Sequence, residues 1–484
     1  MSIRRAAFWS MGSQYIGFII QFAVSVIISR FFLSPQEVGL FSIGLTAAMM
    51  VAVLQDFGIS RFLIGQTEIR DDILRTATSL SCVFSLLVAS LIVAVAWPIS
   101  LSYHEPRLFW MLLIIAVSYV PVPWTVIPAA LITRDMDFKS LFKINVSGIM
   151  ANAVTGLSLA YAGFSAESLA YAAVAQAVVR ACTAQYLRPV AIKLPLQFRD
   201  AKSVAAFGST SSLLSISGAI GVRSPDLIVG GILGFAAVGL YSRASGLAAQ
   251  LHMLVMGAVN NIFYPAFAKL RDSGQPFGPH YERVVAAFGA VVWPSMTLLS
   301  AAAYPVISFL FGDKWLEAAP LLSMLALSEM AFVMLPLHVD LPILLGRFKA
   351  LLLYNVTETM ASVATLFIAA HWGLWEAAFS RIIYGMIWFI VYARFMHRLV
   401  GFRWSILARI YLKSALLSGL TVSPLLLTYK FITPAAQIGF LSIIPAIAAS
   451  GVIWLSALFV LRHPARKEVQ DIFQSLRAYP IFAR

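Results

Sequence analysis

The chain has 484 residues, of which 60% are hydrophobic and only 12% charged, with a mean hydropathy of +0.85 and a formal net charge of +14. Soluble domains carry about 25% charged and 45–50% apolar residues, and a chain this apolar could not cover a water-facing surface, so a soluble globular protein is excluded. The apolar runs are continuous over about 20 residues, which reads as membrane-crossing helix and excludes the period-two alternation of a barrel.

In chain order, about fourteen spans are expected, at 6–33, 38–64, 76–100, 108–132, 140–163, 167–187, 206–233, 238–264, 284–310, 318–345, 349–370, 372–396, 406–429 and 438–461. The first follows Arg4 and Arg5, holds Gln14 and Gln21, and lacks a small-residue cleavage site, so it reads as a retained helix and not a signal peptide. Cys82 and Cys182 fall in apolar segments and read as small core residues, with neither a disulfide framework nor a metal cluster. Pro121, Pro123 and Pro128 in the fourth span are expected to bend it. The tail from Arg462 is basic and could form a short amphipathic helix on the inner leaflet.

Placing the N-terminus in the cytoplasm puts 28 of the 35 Lys and Arg residues on that side. The opposite loops keep only four, Arg30, Arg107, Lys314 and Lys430, and three more, Arg223, Arg243 and Arg381, lie within spans. Basic residues concentrate in cytoplasmic loops of membrane proteins. The excess charge is therefore a topology signal, and a nucleic-acid partner is not expected.

Val38-Gly39-Leu40-Phe41-Ser42 and Val238-Gly239-Leu240-Tyr241-Ser242 match at a spacing of 200 residues, each opening the second helix of a six-helix group. Six helices return the chain to the same orientation, so this is a parallel repeat, one plan of secondary transporters. The expected architecture is all-α and polytopic: a six-helix lobe at 1–187, a cytoplasmic linker at 188–205, a second pseudo-symmetric lobe at 206–396, an extra helix pair at 406–461 and a cytoplasmic tail at 462–484.

Leu33-Ser34-Pro35-Gln36-Glu37-Val38-Gly39-Leu40-Phe41 resembles the signature between the first two helices of the bacterial polysaccharide flippase family, within the multidrug/oligosaccharidyl-lipid/polysaccharide exporter superfamily. Asp56-Phe57-Gly58-Ile59-Ser60 is similar to its second-helix ending, and Arg134-Asp135-Met136-Asp137-Phe138-Lys139 to the loop after its fourth helix. The stretch from Phe311-Gly312-Asp313-Lys314-Trp315 to Pro320-Leu321-Leu322 resembles the one before its tenth helix. Gly163-Phe164-Ser165-Ala166-Glu167 departs from the turn that many relatives carry there. The resemblance implies a transporter and not an enzyme. It would flip an undecaprenyl-pyrophosphate-linked oligosaccharide from the cytoplasmic to the periplasmic leaflet of the bacterial inner membrane, by alternating access. It also implies membrane lipid as a partner, with a polysaccharide polymerase and chain-length proteins as further candidates.

Ionised groups in mid-bilayer cost about 2.5–3.5 kcal/mol on insertion scales and are functional candidates for that reason. Arg223 lies about 25 Å along the seventh span at 1.5 Å per residue, and Asp226 one turn on can share its face. Pro225 between them, with Gly218, Gly221, Gly230 and Gly231 around it, predicts a broken or bent helix. Arg223, Asp226, Arg243 and Arg381 are the candidate substrate-binding residues; a pyrophosphate suits Arg, whose planar fork stays charged. Glu329 and Glu358 would neutralise these arginines or bind a coupling proton or sodium ion. Asp56, Arg61, Arg180 and Asp340 fall nearer the inner interface and read as solvated boundary groups. Asn152, Gln176, Asn260, Asn261, Trp293 and Trp388 are candidates for sugar contacts. His338, His371 and Glu376 show no metal-ligand spacing, and no cofactor is expected. The rival readings are a drug or small-cation exporter of the same superfamily and a membrane polymerase or ligase. The short outer loops argue against the latter.

Overall fold

In a computed structural model describing residues 3–55, 58–66, 68–191, 197–198, 201–466 and 470, every described element is helical. The chain is an all-α polytopic membrane protein. Among the described residues, nine helices are long and apolar enough to cross a membrane. Large apolar side chains such as Ile19, Leu353 and Ile390 stand exposed along them, which water would penalise and lipid does not.

The chain divides into two compact units, Met1–Gly239 and Leu240–Arg484. The first begins with α1 (Ile3–Ile27), which runs into a π-helical turn at Ile28–Phe32. Ser34 then caps α2 (Pro35–Ala52): its hydroxyl accepts from the Glu37 amide, Pro35 opens the helix, and the Glu37 carboxylate accepts from the Ser34 amide at 2.7 Å. This reciprocal capping satisfies donors that a helix start otherwise leaves bare. Next come α3 (Ile59–Gly65), α4 (Asp71–Ser102), α5 (Pro106–Val117), α6 (Pro123–Arg134), α7 (Phe138–Tyr161), α8 (Glu167–Leu187) and α9 (Ala201–Leu233). The expected fourth span is broken into α5 and α6, where Pro121 and Pro123 remove two closely spaced amide donors, while Pro128 is tolerated inside α6. In this unit α7 packs on α1 and α8, and α2 packs on α5 and α9.

After α10 (Phe235–Asp272), the second unit holds α11 (Gly278–Ala301), α12 (Ala303–Phe311), α13 (Ala318–Phe332), α14 (Asp340–Leu344), α15 (Phe348–Ala370) and α16 (Leu374–Val400). The last two helices, α17 (Trp404–Phe431) and α18 (Phe440–Val460), pack on each other, α17 also on α11 and α18 also on α12. The tenth expected span is unwound between Phe332 and Asp340, where Leu337 takes a left-handed conformation at φ 59°. By contrast α9 runs unbroken through Pro225, so the seventh span is not the broken helix that its proline and glycines suggested. Cys82 is partly buried and Cys182 exposed, which corrects the reading of the latter as a core residue; a lipid-facing position accepts a small apolar side chain equally well.

Candidate transport site

In the first unit α9 is fastened at the level of Asp226. Asp226 Oδ2 accepts from the Thr46 hydroxyl of α2 at 3.0 Å, and the Tyr103 hydroxyl just beyond α4 donates to the Leu227 carbonyl at 2.8 Å. Among the described residues no salt bridge joins Asp226 to Arg223; the carboxylate turns to Thr46 instead, and the partly buried Arg223 is left outside that hydrogen bond. The apposition of Gly39 and residues 235–239 is equally local to this unit. A Cβ on Gly39 would lie 1.8 Å from the Phe235 carbonyl oxygen, and one on Gly239 1.8 Å from that of Pro35. The two copies of the repeated motif therefore touch through their glycines. At the same end of the unit, Arg107 grips Glu167 through two hydrogen bonds of 3.1 and 3.0 Å, and the Ser165 hydroxyl donates to Glu37.

In the second unit the candidate charges do not meet one another directly. The Glu358 carboxylate accepts from the Tyr384 hydroxyl and from Asn355 Nδ2 at 3.2 Å. Arg381 donates to the Ser362 hydroxyl at 2.8 Å and lies over the Tyr384 ring, 4.4 Å from its centre. Tyr384 thus stands between the cation and the carboxylate, offering its ring face to one and its hydroxyl to the other. Glu329 meets His252 of α10, with Oε2 2.8 Å from Nδ1, in a geometry that is not a hydrogen bond. Arg243 is partly buried on α10.

The unwound stretch after α13 is held by side-chain donors. Trp293 Nε1 donates to the Met330 carbonyl at 3.0 Å, the Tyr411 hydroxyl to Met334 at 2.7 Å and the Tyr281 hydroxyl to Pro336 at 3.1 Å. Bare carbonyls in hydrocarbon are costly, and these three donors replace the lost helical amides. Within the stretch, His338 packs edge-on to Trp388 and against Tyr392. Trp293 and Trp388, read from sequence as sugar contacts, are here a backbone clamp and an interior packing group.

His252, Thr46, Asn355, Ser362 and Tyr384 were not singled out by sequence reasoning. A histidine in the apolar middle of α10 was the one available signal. The side chains of Asn260 and Asn261, and all of Asp56, lie outside the described residues, as does most of the tail. Among the described residues no group of three His, Cys, Asp or Glu side chains could hold a metal ion.

Residues 27–320 match the model of a family described as polysaccharide biosynthesis protein. The chain is 23% identical over 403 residues to the succinoglycan biosynthesis transport protein ExoT of Rhizobium meliloti, covering 83% of this chain and 80% of that one. It is 22% identical over 293 residues to the lipopolysaccharide biosynthesis protein WzxC of Escherichia coli, covering 60% of this chain and 59% of that one. Among solved structures it resembles the lipid II flippase MurJ in an inward closed conformation, with a TM-score of 0.72 and 13% identity, over 94% of this chain and 99% of that one. At that identity the likeness is one of fold.

Proposed function

Since the chain belongs to the polysaccharide biosynthesis protein family, we propose that it is a flippase for a polyprenyl-pyrophosphate-linked oligosaccharide, a transporter and not an enzyme. The observation that carries this reading is the family match over residues 27–320, joined to a relative described as a succinoglycan biosynthesis transport protein. The membrane is the bacterial inner membrane, with both termini in the cytoplasm, as the distribution of Lys and Arg supports. The saccharide-bearing lipid is carried from the cytoplasmic to the periplasmic leaflet by alternating access between two six-helix lobes, and a polymerase takes it over there.

The chemistry of the interior fits such a cargo. In the first unit Arg223 supplies a cation suited to phosphate oxygens and Thr46 a hydroxyl suited to sugars; in the second, Arg243 and Arg381 supply the cations, and Asn355 and Tyr384 the amide and hydroxyl groups. Glu358, which accepts from Tyr384, and Glu329, beside His252, would be the carboxylates that take a coupling proton or sodium ion. Reconstitution in vesicles tests the reading: the purified chain should move a lipid-linked oligosaccharide between leaflets, and failure to do so while exporting a cationic dye would contradict it.

A further inference from the structure

Arg180 sits two turns before the end of α8 at Leu187, about 10 Å into that helix at 1.5 Å per residue. It is not the solvated boundary group that its place in the sequence suggested. The side chain lies across Gly148 of α7, where a Cβ would come 2.2 Å from Arg180 Cγ and 2.7 Å from Cδ. The glycine is the slot that admits the arginine stem. One terminal nitrogen donates to Asn145 Oδ1 at 3.1 Å, and Asn145 Nδ2 reaches the Ser13 hydroxyl of α1 at 3.4 Å. Nε is buried and has no acceptor.

The charge has no counter-ion among the described residues. Helices α1, α6 and α7 contain no Asp or Glu, and α8 has only Glu167, at its far end and bound to Arg107. The two carboxylates at the near end are engaged elsewhere: Asp135 pairs with Arg188 at 3.6 Å, and Asp137 caps α7 through the Ser140 amide and hydroxyl. Lys139 and Lys143 stand exposed in the first turns of α7, adding cations to the same end. A guanidinium with an unpaired buried Nε, a neutral amide as its partner and no acid paired with it among the described residues suits an oxyanion from outside the chain.

We propose that Arg180, seated on Gly148 and oriented by Asn145, forms an oxyanion site of the first unit for a lipid-borne phosphate. The phosphate comes from the diphosphate of a polyprenyl-linked substrate or from the headgroup of an anionic membrane lipid. The first source rests on the transport reading above; the second does not.

The full chain, purified in detergent, is titrated with polyprenyl diphosphate, with inorganic pyrophosphate, and with mixed micelles of phosphatidylglycerol or, as the uncharged control, phosphatidylcholine. Arg180→Gln should weaken at least one phosphate-bearing probe about tenfold, the loss of a charge-assisted bond, and Arg180→Lys should restore part of it. Gly148→Ala, which pushes the arginine stem aside without touching its charge, should weaken the same probe and serves if Arg180→Gln does not fold. Loss confined to polyprenyl diphosphate identifies the substrate as the source, and loss confined to phosphatidylglycerol identifies the membrane. Equal binding of every probe by wild type, Arg180→Gln and Gly148→Ala would overturn the proposal. A wild-type chain that binds polyprenyl diphosphate through Arg180 yet moves no lipid-linked saccharide contradicts the transport reading and leaves the site standing.

Discussion

Gly39 and Gly239 meet at van der Waals limit: a Cβ on Gly39 would sit 2.9 Å from the Gly239 nitrogen and 1.8 Å from the Phe235 carbonyl oxygen. The obstacle on either side is backbone, which cannot rotate away as a side chain can. Gly39→Ala and Gly239→Ala should each lower the thermal unfolding temperature in detergent and reduce transport, since overpacking costs about 1–3 kcal/mol. Gly419→Ala on α17, where an added Cβ meets open space, should leave both unchanged.

Tyr384 links Arg381 to Glu358 without a direct ion pair between them. Tyr384→Phe keeps the ring beneath Arg381 but withdraws the hydroxyl from Glu358. Arg381→Ala and Tyr384→Phe should therefore both reduce transport by about tenfold or more at near-normal protein levels, a loss of roughly 1.4 kcal/mol. Transport and membrane abundance measured side by side check this, and full transport by both variants would remove Arg381 and Tyr384 from the transport path.

The unwound stretch between α13 and α14 depends on two tyrosine hydroxyls. Tyr281→Phe and Tyr411→Phe leave the Pro336 and Met334 carbonyls without their donors. Each should cost about 1–3 kcal/mol of stability, the penalty of an unsatisfied buried polar group. Unfolding temperatures of the two variants and of the double variant measure it.

His463, just past α18, is fully buried; its Nδ1 accepts from the Ala465 amide at 3.2 Å and its Nε2 lies 3.1 Å from the Ser414 hydroxyl of α17. Burial, aided by the nearby Lys413 charge, pushes its pKa down to about 4, against about 6.5 for a free imidazole. The unfolded chain therefore takes up the proton first. Stability from this residue is complete above about pH 6.5 and is lost as pH falls from there through about 4. His463→Gln should flatten that part of the pH dependence of unfolding.

The fold was largely legible because each span is a long apolar run, and every expected span appears as a helix or as two helices around a break. The breaks themselves were harder. Pro121 and Pro123 announced the one between α5 and α6, whereas the stretch around His338 is unwound because Trp293, Tyr281 and Tyr411, distant in sequence, replace its helical donors. Pro225 did not announce a break, since α9 is continuous through it, fastened close by through Asp226 to Thr46 and through the Leu227 carbonyl to Tyr103. Arg223 and Asp226 lie one turn apart, but spacing along a helix does not say which neighbour a carboxylate turns to. Arg180 illustrates the same limit, since only the packing of α8 on Gly148 reveals that its stem is seated there with Nε buried and unpaired.

Translocation in proteoliposomes is the most direct test of the central claim. With a fluorescent lipid-linked oligosaccharide in the inner leaflet, vesicles containing the purified chain should expose it to an external quencher faster than protein-free vesicles. Arg381→Ala vesicles should lag behind. Exposure no faster than in protein-free vesicles, together with efflux of a cationic dye, would contradict the account.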